Sequence, residues 1–263
     1  TGAATGTDPL AVALARYLDG GEAGVYEDPT AFRRFADGGG NVGLYAAADR
    51  ALRDLHAGVR PTRVADLGCG DGRLAVAAAG PRLGQLDLVE PSAELLDAAV
   101  ARLAATGAPA RARRTGAHEF LRERPDERWD LVQSTFALSA VEPDERAEVL
   151  RLLASCAGRL VLAEFDVPFF VDRSPDHAAY AAARYEAGIA EYADDPGVVQ
   201  GFLMPVLVGQ FAAGEPRHTF EQPVRRWCDD LVAAGFAHVS HRPLFDYWWA
   251  PAHLVEATGP ASG

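Results

Sequence analysis

The residues best suited to chemistry lie in one run, Val64-Ala65-Asp66-Leu67-Gly68-Cys69-Gly70-Asp71-Gly72-Arg73. Glycines at alternate positions let the backbone turn sharply and approach a ligand closely. A helix opening after them would offer free N–H groups to an anion. A dinucleotide loop has the pattern G-x-G-x-x-G, whereas the spacing here is G-x-G-x-G. Asp66 also ends the preceding strand, where it would face a pyrophosphate and repel it. A carboxylate in that place suits a ligand that carries positive charge, such as a sulfonium nucleoside with an α-amino group. Glu90 follows Leu88-Val89, 18 residues beyond Gly72. An acid at the end of a second strand can accept hydrogen bonds from both ribose hydroxyls. Loop and acid together point to a cofactor of the S-adenosylmethionine (SAM) type; a glycine loop without ligand and a nicotinamide site are the competing readings.

These residues need strands that end together, and the hydrophobic pattern supplies them. Val64-Leu67, Leu86-Val89, Arg111-Arg114, Trp129-Val132 and Leu160-Ala163 read as strands. Helical segments lie between them: from the glycine loop through Ala79, from a Ser92 cap to about Ala105, and from Pro143 to Cys156. Strands alternating with helices predict a doubly wound, mostly parallel α/β sheet of Rossmann-like type. The strand order is not readable from the pattern. Three helices precede the sheet, two of them opened by Asp8-Pro9 and Asp28-Pro29, with Asp as cap and Pro in the first turn. After Phe165 the alternation breaks for about fifty residues, with an Ala-rich helix from Ser174-Pro175 to about Tyr192 and an apolar Gly201–Val208 segment. An insertion of that kind at a sheet edge usually serves as a lid or substrate wall. A helix from Pro223 to Ala234 and late strands at Phe236–Ser240 and Phe245–Trp249 close the chain. The expected division is a helical segment over 1–58 covering the cofactor site and a cofactor-binding domain over 59–263, with 167–222 as its substrate-binding insertion.

Composition narrows the function. Of 263 residues 49% are hydrophobic, so the chain can build a full core. All 25 basic residues are Arg, which excludes Schiff-base chemistry and a P-loop lysine. A net charge of −12 disfavours a nucleic-acid partner. No run approaches the roughly 18 apolar residues that cross a bilayer, and no signal-peptide pattern opens the sequence. Cys69, Cys156 and Cys228 are odd in number and far apart, as expected of a reducing cytoplasm. His238 and His241 do not assemble with a carboxylate into a metal site, so no metal is expected.

On these motifs the sequence resembles the class I SAM-dependent methyltransferases over roughly Arg60–Leu162, with looser agreement at Trp227–Val239. The resemblance implies a seven-stranded sheet and SAM as cofactor. It also implies that Asp66, Gly68, Cys69 and Gly70 cradle the methionine part, that Arg73 meets its carboxylate, and that Glu90 and Pro91 border the ribose. Gly116-Ala117-His118-Glu119-Phe120 stands where many members carry an Asp near the adenine, so backbone groups of Ala117 and His118 are the implied contacts. Ser134 and Thr135 open the stretch that lines the cofactor. No Asn/Asp-Pro-Pro-Tyr/Phe follows the fourth strand, unlike the enzymes that methylate base or amide nitrogens.

The resemblance places acceptor groups on the N-terminal helices, the ends of the fourth and fifth strands, and the insertion. There the candidate catalytic residues are Tyr26, Asp166 and His177, with Glu164 and His218 beside them; each is equally readable as a solvated, capping or packing residue. Glu164 and Asp166 point to one face of a strand. Tyr185 and Tyr192 share a helix face, and Glu186, Glu191, Asp194 and Asp195 form a charge run that is usually solvated. The expected activity is methylation of nitrogen, ahead of oxygen, on a small molecule or short peptide by a monomer or homodimer. A SAM-binding protein without transfer and an RNA methyltransferase are the alternatives.

Overall fold

The computed structural model describes residues 8–20, 29–212, 217 and 219–259. The chain divides into two compact units, a sheet unit (Tyr45–Pro168, Thr219–Asp246, Pro251–Gly263) and a helical unit (Thr1–Leu44, Phe169–His218, Tyr247–Ala250).

In the sheet unit seven strands run β1 (Arg63–Leu67), β2 (Gln85–Val89), β3 (Ala110–Arg113), β4 (Trp129–Thr135), β5 (Ala157–Phe165), β6 (His238–Asp246) and β7 (Pro251–Thr258). Their order is β3-β2-β1-β4-β5-β7-β6. The first five pair in parallel, and β7 is antiparallel to both of its neighbours. Central strands read as apolar runs because both faces are covered: Val64, Ala65, Leu67, Leu131, Val132, Leu160 and Leu162 are fully buried. One face packs on α6 (Pro143–Cys156) and α10 (Val224–Ala234), through Val149, Leu153, Trp227 and Leu231. The other packs on the body of α3 (Gly39–Val59) and on α4 (Ala93–Ala104), through Ala48, Leu52, Ala99 and Leu103. The seven-stranded, mostly parallel sheet, the N-terminal helices and the helical insertion before β6 are as the sequence predicts.

Two elements differ. The segment expected as a helix through Ala79 forms a single 3-10 turn, Ala75–Ala78. Gly72 is still in the left-handed region at φ 75°, and Gly80-Pro81 follows at once, so too few residues remain for an α-helix to nucleate. The last strand is Pro251–Thr258 rather than Phe245–Trp249. Phe245 belongs to β6, and Tyr247–Ala250 forms the turn between the strands, where Tyr247 and Trp249 are buried.

The helical unit holds α1 (Pro9–Asp19), α2 (Pro29–Asp37), α7 (Pro175–Glu191), α8 (Pro196–Val198), a π-helical turn at Val199–Leu203 and α9 (Met204–Phe211). Asp8 caps α1, its Oδ1 accepting from the N–H of Leu10 at 2.9 Å, and Ser174 caps α7. A buried hub ties this unit together. Asn41 donates to the Phe35 carbonyl at 2.8 Å and accepts from the Tyr247 hydroxyl at 3.1 Å. Tyr185 and Tyr192 are buried, Glu186, Glu191 and Asp194 are exposed, and Asp195 pairs with Arg34. Glu186 and Asp194 are therefore a solvated face, while Glu191 accepts from the Gly40 N–H at 2.6 Å and Asp195 closes an ion pair.

Candidate functional site

The strand order reverses between β1 and β4, because the chain leaves β1 toward β2 on one side and β4 lies on the other. In open α/β sheets ligands bind beyond the carboxyl ends of the strands at such a switch point. Asp66 and Gln133 are register partners there. The N–H groups of Gly68 and Cys69 both donate to the Val89 carbonyl, at 2.8 and 3.1 Å, which folds the loop back over β2.

The three loop glycines have different tasks. All have positive φ, at 69°, 54° and 75° for Gly68, Gly70 and Gly72. A Cβ on Gly68 would stand 2.3 Å from Ala137 Cβ, and one on Gly72 would stand 2.8 Å from Ala99 of α4. Those two let the protein pack on itself. A Cβ on Gly70 would meet nothing within 4 Å, so that position faces open space. The Gly70 N–H donates to Glu90 Oε2 at 3.1 Å, and Glu90 Oε1 accepts from the Ser92 N–H at 3.0 Å. Glu90 thus braces the loop while keeping acceptor capacity on both oxygens.

Asp66 is fully buried. Its Oδ2 accepts from Gln133 Nε2 at 2.9 Å, while Oδ1 has no partner. Burial raises its pKa to about 7, with Glu90 adding to the rise and Gln133 opposing it. A buried, half-satisfied carboxylate is costly, and a cationic ligand removes that cost. Ser134, paired with Leu162 of β5, is fully buried, its hydroxyl donating to the Leu67 carbonyl at 2.8 Å and tying β4 to the end of β1. Thr135 is half-buried beside it. Phe136 sits at φ 56°, a strained conformation for a bulky residue, directly beyond β4. Its ring stacks on Phe165 at 4.9 Å and meets Tyr45 edge-on at 6.5 Å.

Residues 64–158 match the family described as "Methyltransferase domain". That stretch is a class I SAM-dependent methyltransferase domain. No curated protein matches it. Among solved structures, a putative O-methyltransferase of Nostoc punctiforme is 17% identical with a TM-score of 0.57, over 96% of this chain and 68% of that one. Magnesium protoporphyrin IX methyltransferase of Synechocystis, with bound SAM, is 14% identical with a TM-score of 0.57, over 98% and 100%. The SAM-dependent methyltransferase SibL is 18% identical with a TM-score of 0.58, over 98% and 71%. At these identities the likeness is one of fold. The methyltransferase domain uses SAM, and the residues present fit it: an open cradle at Gly70 and an orphaned buried acceptor on Asp66.

Other candidates carry structural loads. Arg73 is held by Asp71, its Nε donating at 3.0 Å and its Nη2 at 3.0 Å, and it lies over the Tyr45 ring at 4.7 Å. Asp71 also accepts from Arg102 at 2.9 Å; burial works to raise its pKa, but the Arg73 hydrogen bonds, with the charges of Arg73 and Arg102, hold it below the usual range. Cys69 is buried and its thiol is pushed up, first by burial and then by Asp66 and Glu90. Pro91 is exposed beyond β2. Ala117 and His118 form the first turn of α5 (Ala117–Arg122), and the His118 ring faces Glu145 at 3.4 Å and Glu148 at 3.1 Å on α6.

Asp166 caps α10, its Oδ1 accepting from the Val224 N–H at 2.8 Å, with His253 Nε2 3.9 Å from Oδ2. His177 belongs to the helical unit. Its Nδ1 accepts from the Arg173 N–H at 3.1 Å and its ring stacks on Phe170 at 5.6 Å, while burial pulls its pKa down. Tyr26 and His218 lie outside the described residues.

Two buried participants, His56 and Arg146, escaped the sequence reading, and Glu164, a candidate base there, has a structural partner instead. His56 Nε2 meets Gln133 Oε1 at 2.8 Å, behind Asp66. Glu164 is 2% exposed and its Oε1 accepts from the N–H groups of Leu138 and Ser139, at 3.0 and 3.3 Å. Burial raises its pKa to about 7. Arg146, also buried, donates to the Phe220 carbonyl at 2.8 Å and to Gln222 Oε1 at 2.9 Å. Polar residues inside apolar stretches were the available signal: Gln133 after Leu131-Val132, and His56 after Leu52 and Leu55.

Proposed function

We propose that this methyltransferase acts on a nitrogen atom of a small molecule or short peptide. The observation that carries the cofactor assignment to residues is the buried carboxylate of Asp66, one oxygen unpartnered, beside the open Gly70 position. In this reading Asp66, Gly68, Cys69, Gly70 and Arg73 receive the methionine part of SAM. Glu90 and Pro91 border the ribose, backbone groups of Ala117 and His118 meet the adenine, and Ser134 and Thr135 line the sulfur end. When bound, SAM supplies an electrophilic methyl group on a sulfonium.

Nitrogen is favoured because the carboxylates at the end of β5 are engaged. Glu164 is occupied by two backbone N–H groups, and Asp166 caps a helix. A neutral amine needs no strong general base to attack and sheds its proton to water afterwards, whereas a hydroxyl usually does need one. The oxygen reading draws on the Nostoc protein, whose name is that of an O-methyltransferase. The net charge of −12 supports a small acceptor over RNA. The N-terminal helices and the 167–222 insertion are assigned to acceptor recognition. Tyr26 and His177, the catalytic candidates there, would position the acceptor.

Labelled SAM incubated with panels of amines, phenols and RNA, read by mass spectrometry, tests the activity. Label on amines supports the proposal, and label on phenols or RNA alone overturns it. Asp66→Ala and Glu90→Ala should each weaken SAM binding by roughly 1–3 kcal/mol by calorimetry, since each leaves polar groups unpaired. Wild-type affinity in either variant would count against the residue assignment.

A further inference from the structure

Behind Asp66 lies a chain of three buried polar side chains from three elements. His56 of α3 is 8% exposed, and Gln133 of β4 and Asp66 of β1 are fully buried. His56 Nε2 and Gln133 Oε1 are 2.8 Å apart, and Gln133 Nε2 donates to Asp66 Oδ2 at 2.9 Å. An ionised carboxylate only accepts, so Gln133 must turn its amide nitrogen toward Asp66 and its oxygen toward His56. That oxygen needs a donor, which places the imidazole proton on Nε2 and leaves Nδ1 bare. His56 Nδ1 is indeed a buried atom without a partner. Both unsatisfied atoms of the chain thus sit at its ends, His56 Nδ1 and Asp66 Oδ1. Nothing in the sheet core requires such a chain, since apolar residues of similar size would fill the same space without unpaired buried atoms.

We infer that Gln133 and His56 are positioning residues for cofactor binding. They hold one oxygen of Asp66 from behind so that the other is presented, ionised, to the α-ammonium of the cofactor. This rests on the reading above that Asp66 faces the methionine part of SAM. The groups facing Asp66 from the packed elements are Glu90 at the end of β2, the Cys69 thiol in the loop, Gln133 on β4 and, through Gln133, His56 on α3. Burial first, and Glu90 last, favour the protonated acid, and the Gln133 N–H favours the carboxylate. Burial keeps His56 neutral by lowering its pKa. Ammonium binding therefore strengthens as pH rises through about 7. Removing the Gln133 donor moves that rise to higher pH.

The test is calorimetric binding of two probes, S-adenosylhomocysteine, which carries the α-ammonium, and 5′-methylthioadenosine, which lacks it. Gln133→Met should weaken S-adenosylhomocysteine about 10- to 100-fold and 5′-methylthioadenosine less than about twofold. His56→Leu should act in the same direction by about three- to tenfold. In both variants the pH dependence of the first probe should move upward, and His56→Gln, which restores a donor, should recover part of the loss. Equal weakening of both probes would mean that the chain only supports the fold, and would overturn the inference. So would unchanged discrimination in both variants while Asp66→Asn abolishes it. If Asp66→Asn itself leaves the ratio of the two affinities unchanged, it is the underlying assignment of Asp66 that falls. Should Gln133→Met fail to fold, His56→Leu and the wild-type pH titration of both probes decide the matter on the same criteria.

Discussion

Single residues in this protein are shaped by what burial does to charge. Asp66 and Glu164 are both fully inside, and burial raises each pKa to about 7. An acid whose pKa is raised on folding makes the folded state bind more protons than the unfolded one between the two pKa values. Its contribution to stability is therefore lost as pH rises across that window. Histidines 56, 177 and 253 act oppositely: burial lowers their pKa, so unfolding takes up protons at mildly acidic pH. The contribution of Glu164 is best read by difference. Glu164→Gln keeps an oxygen to accept from Leu138 and Ser139 but cannot ionise. Relative to wild type it should gain roughly 1–3 kcal/mol of stability between about pH 5 and pH 7. Denaturant titrations at a series of pH values measure this, and a parallel pair of curves would show that Glu164 does not titrate in that range.

At the scale of elements, the loop after β1 separates packing from binding within five residues. Gly68 and Gly72 are pressed against Ala137 and Ala99, while Gly70 is open. Gly68→Ala should destabilise the fold by roughly 2–4 kcal/mol, combining left-handed strain with a clash. Gly70→Ala should cost only about 1–2 kcal/mol of stability, from backbone conformation alone. It should nevertheless weaken SAM binding at least about tenfold, because the new methyl group occupies the open side of the loop. Chemical denaturation and calorimetry on the two variants measure both quantities, and equal losses of stability would contradict the division. The turn after β4 is held from two sides. Glu164 engages its N–H groups, while Arg146 reaches from α6 to the Leu138 carbonyl at 3.5 Å and to Phe220 and Gln222, its guanidinium 4.5 Å over the Trp227 ring.

For the whole molecule, the prediction concerns the division of labour. Removing residues 174–210 should leave SAM binding within about threefold and abolish turnover, if the insertion serves the acceptor alone. Loss of SAM binding by a variant with a preserved cooperative melt would assign cofactor contacts to the insertion instead. The strands, the glycine loop, Glu90 and the breakdown of alternation after Phe165 were all legible in the sequence. They are local: a buried parallel strand is an apolar run, a left-handed turn needs glycine, and a capped helix announces its start. Even so, the local pattern overstated the helix after Gly72 and misplaced the last strand, because aromatic residues at Tyr247–Trp249 imitate a strand while packing in a turn. The order of the strands, the pairing of Asp66 with Gln133 and the approach of His56 were decided only in three dimensions. They depend on which segments meet across 67 and 77 residues of chain, and no periodicity records a contact at that separation. The sequence determined that a carboxylate would stand at the end of β1, and the tertiary structure determined that one of its oxygens is tied down and the other left bare.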